Sequence, residues 1–411
     1  MSAPVYVLGG FQTDFAYNWD RAGQTMYDML GAAVRGALEA TGLEPSEVET
    51  AHIGNFAGEL FCGQGQLGGF FASLDPAWSA LPASRHEAAC ASGSIAVLAA
   101  SAEIEAGRYD LACVVGIEQM RNVSGQQAAA YLGAAAWNGR EAQNARFPWP
   151  YLFSEIGDEY DRRYGLKYEH LARIAQINFD NARRNPNAQT RKWTFGPESF
   201  REDDTHNPPI EGRLRKQDCG QITDGAAVVF LASEDFARRY AARRNLSFEK
   251  LPRLKGWGHR TAPILLETKL SASRDQPYVF PHVRLAIQDA FRRAGIGDVY
   301  ELDGIETHDC FTTTEYLAID HFGLTPPGQS WQAIENGTIE RDGRLPINPS
   351  GGLIGLGHPV GATGVRMVLD AYKQVTGTAG DYQVGVAARN FATLNIGGST
   401  TTCVSFVVGT A

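Results

Sequence analysis

Residues 93–119, GSIAVLAASAEIEAGRYDLACVVGIEQ, and residues 364–390, GVRMVLDAYKQVTGTAGDYQVGVAARN, follow one plan, a helix feeding into a strand. The helix opening near Ser92 is apolar on every face for most of its length, which predicts a helix enclosed on all sides. A second pair obeys the same logic: IQDAFRRAGIGDVYELDGIETHDCF (287–311) repeats the helix, glycine stop, acidic connection and strand of GALEATGLEPSEVETAHIGNF (36–56). Two αβ halves built alike are the economical expectation, an α/β fold. Around them, VYVLGG (5–10) and GAAVVFLAS (225–233) read as strands, and Met26–Ala40 as an amphipathic helix stopped at Gly42. Between about 119 and 220 the pattern breaks into polar and aromatic segments such as RFPWPYLFSEIGDEY, an insertion that covers something. The expected division is 1–118 with 221–255 as the N-terminal half, 119–220 as an inserted loop domain, and 256–411 as the C-terminal half.

Composition narrows the function classes. The 411 residues, 44% of them hydrophobic, are ample for such cores. A net charge of −9 disfavours nucleic acid as a partner. The start MSAPVYVLGG lacks the basic-then-apolar pattern of an export signal, no apolar run is long enough to span a bilayer, and the end FVVGTA lacks a peroxisomal SKL address. Six cysteines without CxxC spacing suit a reducing compartment, so a cytoplasmic setting is expected.

Four loops carry candidate chemistry. In HEAACASGS (86–94), Cys90 precedes the buried helix, where free amides and the helix dipole favour a thiolate nucleophile; a buried structural cysteine is the alternative. In SGGLIGLGHPVGATG (350–364), His358 sits in a tight glycine-rich loop suited to general-base work, against a phosphate loop or an incidental turn. In ETHDCF (306–311), His308 and Cys310 suit an orienting imidazole with a second thiol better than a zinc site, since neighbours on a strand point apart. In RNFATLNIGGSTTTCVSF (389–406), Asn395 and Gly397-Gly398 read as a loop entering the last strand, its amides open to a ligand oxygen unless it is merely a turn.

Taken together these loops resemble those of the thiolase superfamily. The likeness rests on Cys90-Ala91-Ser92 as the CxS loop, Gly357-His358-Pro359-Val360-Gly361 as the GHP loop and the ITDGAAVVFLAS segment, and it spans essentially the whole chain. His308-Asp309-Cys310-Phe311 is similar to the sterol-carrier-protein type, while Asn395 stands where most thiolases have a second catalytic cysteine. The resemblance implies a five-layered αβαβα fold and acyl transfer making or cleaving 3-ketoacyl-CoA. Cys90 would be acylated, His358 its base and Cys310 the acid/base. It also implies oxyanion holes from His358 with a water held by His308, and from the amides of Cys90 and Gly397 near Asn395.

No cofactor is expected, since the CoA thioester is itself the substrate. Because CoA is anionic and the chain acidic, Arg191, Lys192, Arg213, Arg215 and Lys216 are candidate contacts; Trp193 and RFPWPYLF are candidate channel walls. Expected partners are acyl-CoA and CoA, a second or further copies as homodimer or homotetramer, and a small OB-fold subunit if the chain works only in partnership. A β-ketoacyl synthase and a non-catalytic acyl-CoA-binding subunit are the competing readings; HDC and GHP argue against the first, retention of Cys90, His358 and Cys310 against the second.

Overall fold

A computed structural model describes residues 3–385 and 388–410. The described residues form eleven strands: β1 (Tyr6–Gln12), β2 (Thr50–Gly54), β3 (Ala83–His86), β4 (Leu111–Glu118), β5 (Pro209–Glu211), β6 (Leu214–Arg215), β7 (Gly225–Ala232), β8 (Arg253–Thr261), β9 (Gly304–Thr307), β10 (Asn390–Gly397) and β11 (Thr402–Gly409). β5 and β6 form a separate ribbon, and the others run β3-β2-β4-β7-β1-β8-β11-β10-β9. The order reflects the repeat. β1, β2, β4 and β7 correspond to β8, β9, β10 and β11, and the halves join edge to edge where Tyr6 pairs with Arg253.

Side-chain alternation explains the layering. Along β7, Ala226, Val228, Phe230 and Ala232 enter one core with helix Met26–Thr41, whereas Ala227, Val229 and Leu231 face the other way. That second face meets helices Ser92–Glu105 and Thr363–Thr376, which lie together between the halves and share a core with Val404 and Phe406 of β11. On the far side, Ala392, Leu394 and Ile396 of β10 pack with helices Pro281–Ala294 and Thr312–Phe322. The layers are therefore αβαβα, and the middle helix Ser92–Glu105 is apolar on most faces because sheet covers it twice, while Thr363–Thr376 buries Arg366 in ion pairs with Glu306 and Asp370. Where the halves touch, a Cβ on Gly361 would lie 2.4 Å from the carbonyl of Ile117, so glycine sets how closely they approach.

The expected helix stops hold, with Gly42 and Gly295 left-handed at φ 66° and 72°. One element differs. The strand expected at the close of 364–390 begins only at Asn390, and positions 386 and 387 lie outside the described residues. Asn395 therefore lies within β10 and not in a loop. Between 119 and 220, helices Pro148–Tyr164 and Tyr168–Ala182 add Phe153, Ile156, Leu171 and Ile174 to the outer core of the C-terminal half. Among the described residues no helix is long and apolar enough to cross a membrane.

Candidate active site

Cys90 lies in the turn between β3 and the middle helix. Ala89 before it takes φ 51°, a left-handed conformation costing a non-glycine residue about 1–2 kcal/mol. Ser92 staples the turn: its Oγ accepts from the amide of Ala88 at 2.9 Å and donates to the carbonyl of Ala89 at 2.6 Å. The expectation that the helix N-terminus would make Cys90 a thiolate is corrected. Burial, and then the Glu118 carboxylate, push the thiol up to about 12, against the pull of the amides of Cys90 and Gly398. Cys90 thus rests protonated and requires a base.

His358 has the matching character. Thr363 Oγ1 gives its one proton to the carbonyl of Pro359 (3.2 Å), so at 2.7 Å from His358 Nδ1 it accepts. The imidazole proton is thereby fixed on Nδ1, and Nε2 is buried with a free lone pair and no hydrogen-bond partner among the described residues. Burial, reinforced by Arg366, pushes the ring down to about 3, so it is neutral and ready to accept a proton. The Cys90 sulfur and ring nitrogens of His308 and His358 all lie within 4.8 Å of one another. That set could also hold a metal ion.

His308, just past β9, meets His358 edge to face with ring centroids 5.1 Å apart. Its tautomer is legible from Asn395. The carbonyl of Cys90 can only accept, so the Asn395 atom 3.1 Å from it is Nδ2; the same amide donates to His308 Nδ1 at 3.2 Å. Oδ1 accepts from Ser94 at 2.8 Å. His308 then carries its proton on Nε2, a donor for a developing oxyanion or its water. Cys310 is buried beside Thr314 (Sγ to Oγ1 3.9 Å), its thiol raised well above the ordinary range by burial and then by Cys90.

The two expected oxyanion residues lie close to Cys90. Asn395 is fully buried, and both ends of its amide are engaged by other residues. Gly397 packs against Ala88, where a Cβ would lie 2.1 Å from the carbonyl oxygen; Gly398, at φ 63°, lines the cavity together with Cys90, and its amide draws the Cys90 thiol pKa down.

Cys90, His308, Cys310 and His358 open onto one cavity of about 440 Å³, walled by apolar groups including Phe147, Trp149, Phe153, Ile210, Ile222 and Phe311. Of the RFPWPYLF aromatics Phe147, Trp149 and Phe153 line it and Tyr151 does not; Trp193 stacks instead on Phe179. Of the expected cations only Lys216 is on the wall. Arg191 is bidentate to Asp14 (2.8 Å each), Arg213 bridges Asp158 and Asp161 (2.7 Å each), and Arg215 bonds Asp204 (2.7 Å). Arg146, which the sequence reading passed over, joins Lys216 at the cavity and forms no ion pair among the described residues.

Two buried carboxyls were also missed. Glu118 ties two loops to the end of β4 by accepting from the amides of Phe56 (2.9 Å) and Ala57 (3.1 Å) in one and Gly361 (3.1 Å) in the other, and burial pushes it up to about 7. Asp309 accepts from Leu353 at 2.5 Å and Asn178 at 2.8 Å, joining the HDC turn to the glycine-rich loop. An acid ending an otherwise apolar strand was the available signal for Glu118.

Comparison with known proteins defines the family. Residues 5–235 match the family described as "Thiolase, N-terminal domain", and residues 266–410 match "Thiolase C-terminal domain-like". The chain belongs to the thiolase family and is an acyltransferase of that class. It is 32% identical over 400 residues to an acetyl-CoA acetyltransferase of Methanothermobacter thermautotrophicus, covering 96% of each chain. It is 28% identical to sterol carrier protein 2 of Gallus gallus, covering 97% of this chain and 71% of that one. The solved structure titled "Ltp2-ChsH2(DUF35) aldolase" superposes with a TM-score of 0.75 at 20% identity, covering 100% of this chain and 98% of that one, a likeness of fold.

Proposed function

We propose that the protein is a 3-ketoacyl-CoA thiolase acting through acyl-Cys90, with an apolar acyl group in the cavity. The observation carrying this is the meeting of a protonated thiol, a neutral imidazole with a free Nε2 and a protonated second thiol on one apolar pocket. His358 takes the Cys90 proton as sulfur attacks the 3-keto carbon. The C2–C3 bond breaks, and the acetyl-CoA carbanion takes the proton of Cys310. Incoming CoA gives its thiol proton to the Cys310 thiolate and attacks acyl-Cys90, whose departing sulfur recovers its proton from His358. Side chains account for every proton, so the reading calls on no cofactor.

Oxygen charge in both steps is met by His308 Nε2–H on one side and the amides of Cys90 and Gly398 on the other. The region 119–220 acts as the wall that closes the acyl pocket, through Leu132, Trp149 and Phe153. Free thiols at all six cysteines support a cytoplasmic setting. The solved neighbour titled as a two-component assembly supports a small second subunit as a partner.

Incubation with acetyl-CoA and intact mass measurement tests the reading. A single acetyl adduct that is lost in Cys90→Ser is expected, and Cys310→Ala should acylate yet fail to cleave 3-ketoacyl-CoA. Absence of any adduct on the native protein, alone or with a co-purified subunit, overturns it.

A further inference from the structure

Lys269 is buried, yet no carboxylate pairs with it among the described residues. Its Nζ donates to three neutral oxygens: Ser399 Oγ at 2.8 Å, Thr401 Oγ1 at 3.0 Å and the carbonyl of Ile264 at 3.2 Å. Burying an ammonium against neutral groups is unfavourable, and an apolar chain of the same length would fill the space without that penalty. The two hydroxyls flank Thr400, a buried non-glycine residue at φ 66° whose own Oγ1 has no partner. Such a conformation persists only when its surroundings hold it. Here Lys269 grips both neighbours, while His282 Nε2 (2.8 Å) and Cys403 Sγ (3.3 Å) hold the Thr400 carbonyl. The carbonyl of Gly398 in turn accepts from the amide of Thr400 at 2.9 Å. The strained turn therefore runs directly into Gly398, which lines the cavity beside Cys90 and whose amide draws the thiol pKa down.

We propose that Lys269 is a positioning residue: its ammonium holds the Gly398–Thr401 turn so that the Gly398 amide is aimed at the Cys90 sulfur. In the proposed thiolase reaction the same amide meets the thioester oxygen, so the inference rests on that reading for its catalytic meaning.

The grip is sensitive to pH. Burial brings Lys269 down to about 8, so raising the pH through 8 removes one donor from the three-oxygen cradle. Its titratable neighbours are His282 on helix Pro281–Ala294, held down to about 4, and Cys403 on β11, raised to about 12; both are uncharged there. The carboxylate facing it is Glu141, which accepts from the amide of Leu266 at 2.7 Å at the start of the lysine's own helix.

The test combines Lys269→Met with the double variant Ser399→Ala/Thr401→Val, which leaves the lysine and removes its hydroxyl acceptors. Acetylation of Cys90 by acetyl-CoA is followed from pH 6 to 9.5, and alkylation of Cys90 by iodoacetamide at pH 7, which needs only a reactive thiol. Native acetylation is expected to fall as pH rises through about 8. Lys269→Met should acetylate about 100-fold more slowly, the usual loss for one oxyanion donor, with KM unchanged and no step near that pH. Alkylation should slow about tenfold in both variants, the effect of a thiol pKa raised by about one unit. If Lys269→Met does not fold, the double variant decides by the same measurements. Native-rate alkylation in the variants, or native acetylation level through pH 8, overturns the proposal. Slowed alkylation alongside a native protein that never acetylates sustains the loop assignment and rejects the thiolase reading instead.

Discussion

The side-chain amide of Asn395 donates to Nδ1 of His308 across 3.2 Å while also holding the carbonyl of Cys90 at 3.1 Å. One residue on β10 thereby fixes both the tautomer of one half's histidine and the turn that presents the other half's nucleophile. Asn395→Asp removes the donor and sets an oxygen against the Cys90 carbonyl. Turnover should fall about 100-fold with KM little changed, a loss comparable to that of an oxyanion donor. Steady-state kinetics on the variant check this, and Asn395→Ala should lower stability by about 1–3 kcal/mol through the buried partners it strands.

His358 is pushed down to about 3, below the ordinary imidazole value of 6.5. The neutral ring is the base, so acid inactivates only as pH approaches the lowered value. Cys90 acetylation is therefore expected to show no loss between pH 7 and pH 5, where an unperturbed histidine base would lose most of its activity. Rates of adduct formation over that range decide it.

The apolar wall of the 440 Å³ cavity predicts a chain-length preference. Each added methylene buried is worth about 0.8 kcal/mol, or roughly fourfold. kcat/KM should therefore climb from acetyl through the medium-chain acyl-CoA esters before levelling. A flat series would argue against the pocket as the acyl site.

Arg146 and Lys216 are the cations on that wall. Arg146→Glu with Lys216→Glu should raise KM for CoA esters about tenfold at low salt, with the difference shrinking as salt screens the charges. Cys90 acetylation at saturating substrate should be unaffected.

Because the Cys90 sulfur and the ring nitrogens of His308 and His358 lie within 4.8 Å of one another, zinc should inhibit by occupying them. Inhibition should be reversed by EDTA. Titration with cobalt(II) should give a thiolate charge-transfer band that Cys90→Ser lacks.

Much of the architecture is local and so was readable. Helix stops at Gly42 and Gly295 and the all-apolar middle helix follow from nearby residues alone. The loops bearing Cys90, His358, His308 and Cys310 stood out for the same reason. Long-range pairings were not readable. Asp14 takes Arg191 out of play across 177 positions, and Ser94 orients Asn395 across 301. The thiol state of Cys90 was misjudged because the helix terminus is visible in sequence, whereas burial and the Glu118 charge arise only in three dimensions.

The two central helices, Ser92–Glu105 and Thr363–Thr376, each follow a loop bearing one partner of the thiol–imidazole pair. Neither duplicate unit is a miniature enzyme. A polypeptide severed after helix Glu234–Arg244, between β7 and β8, should regain turnover only when its fragments reassociate, with a dependence on their concentration that reports the strength of that central seam.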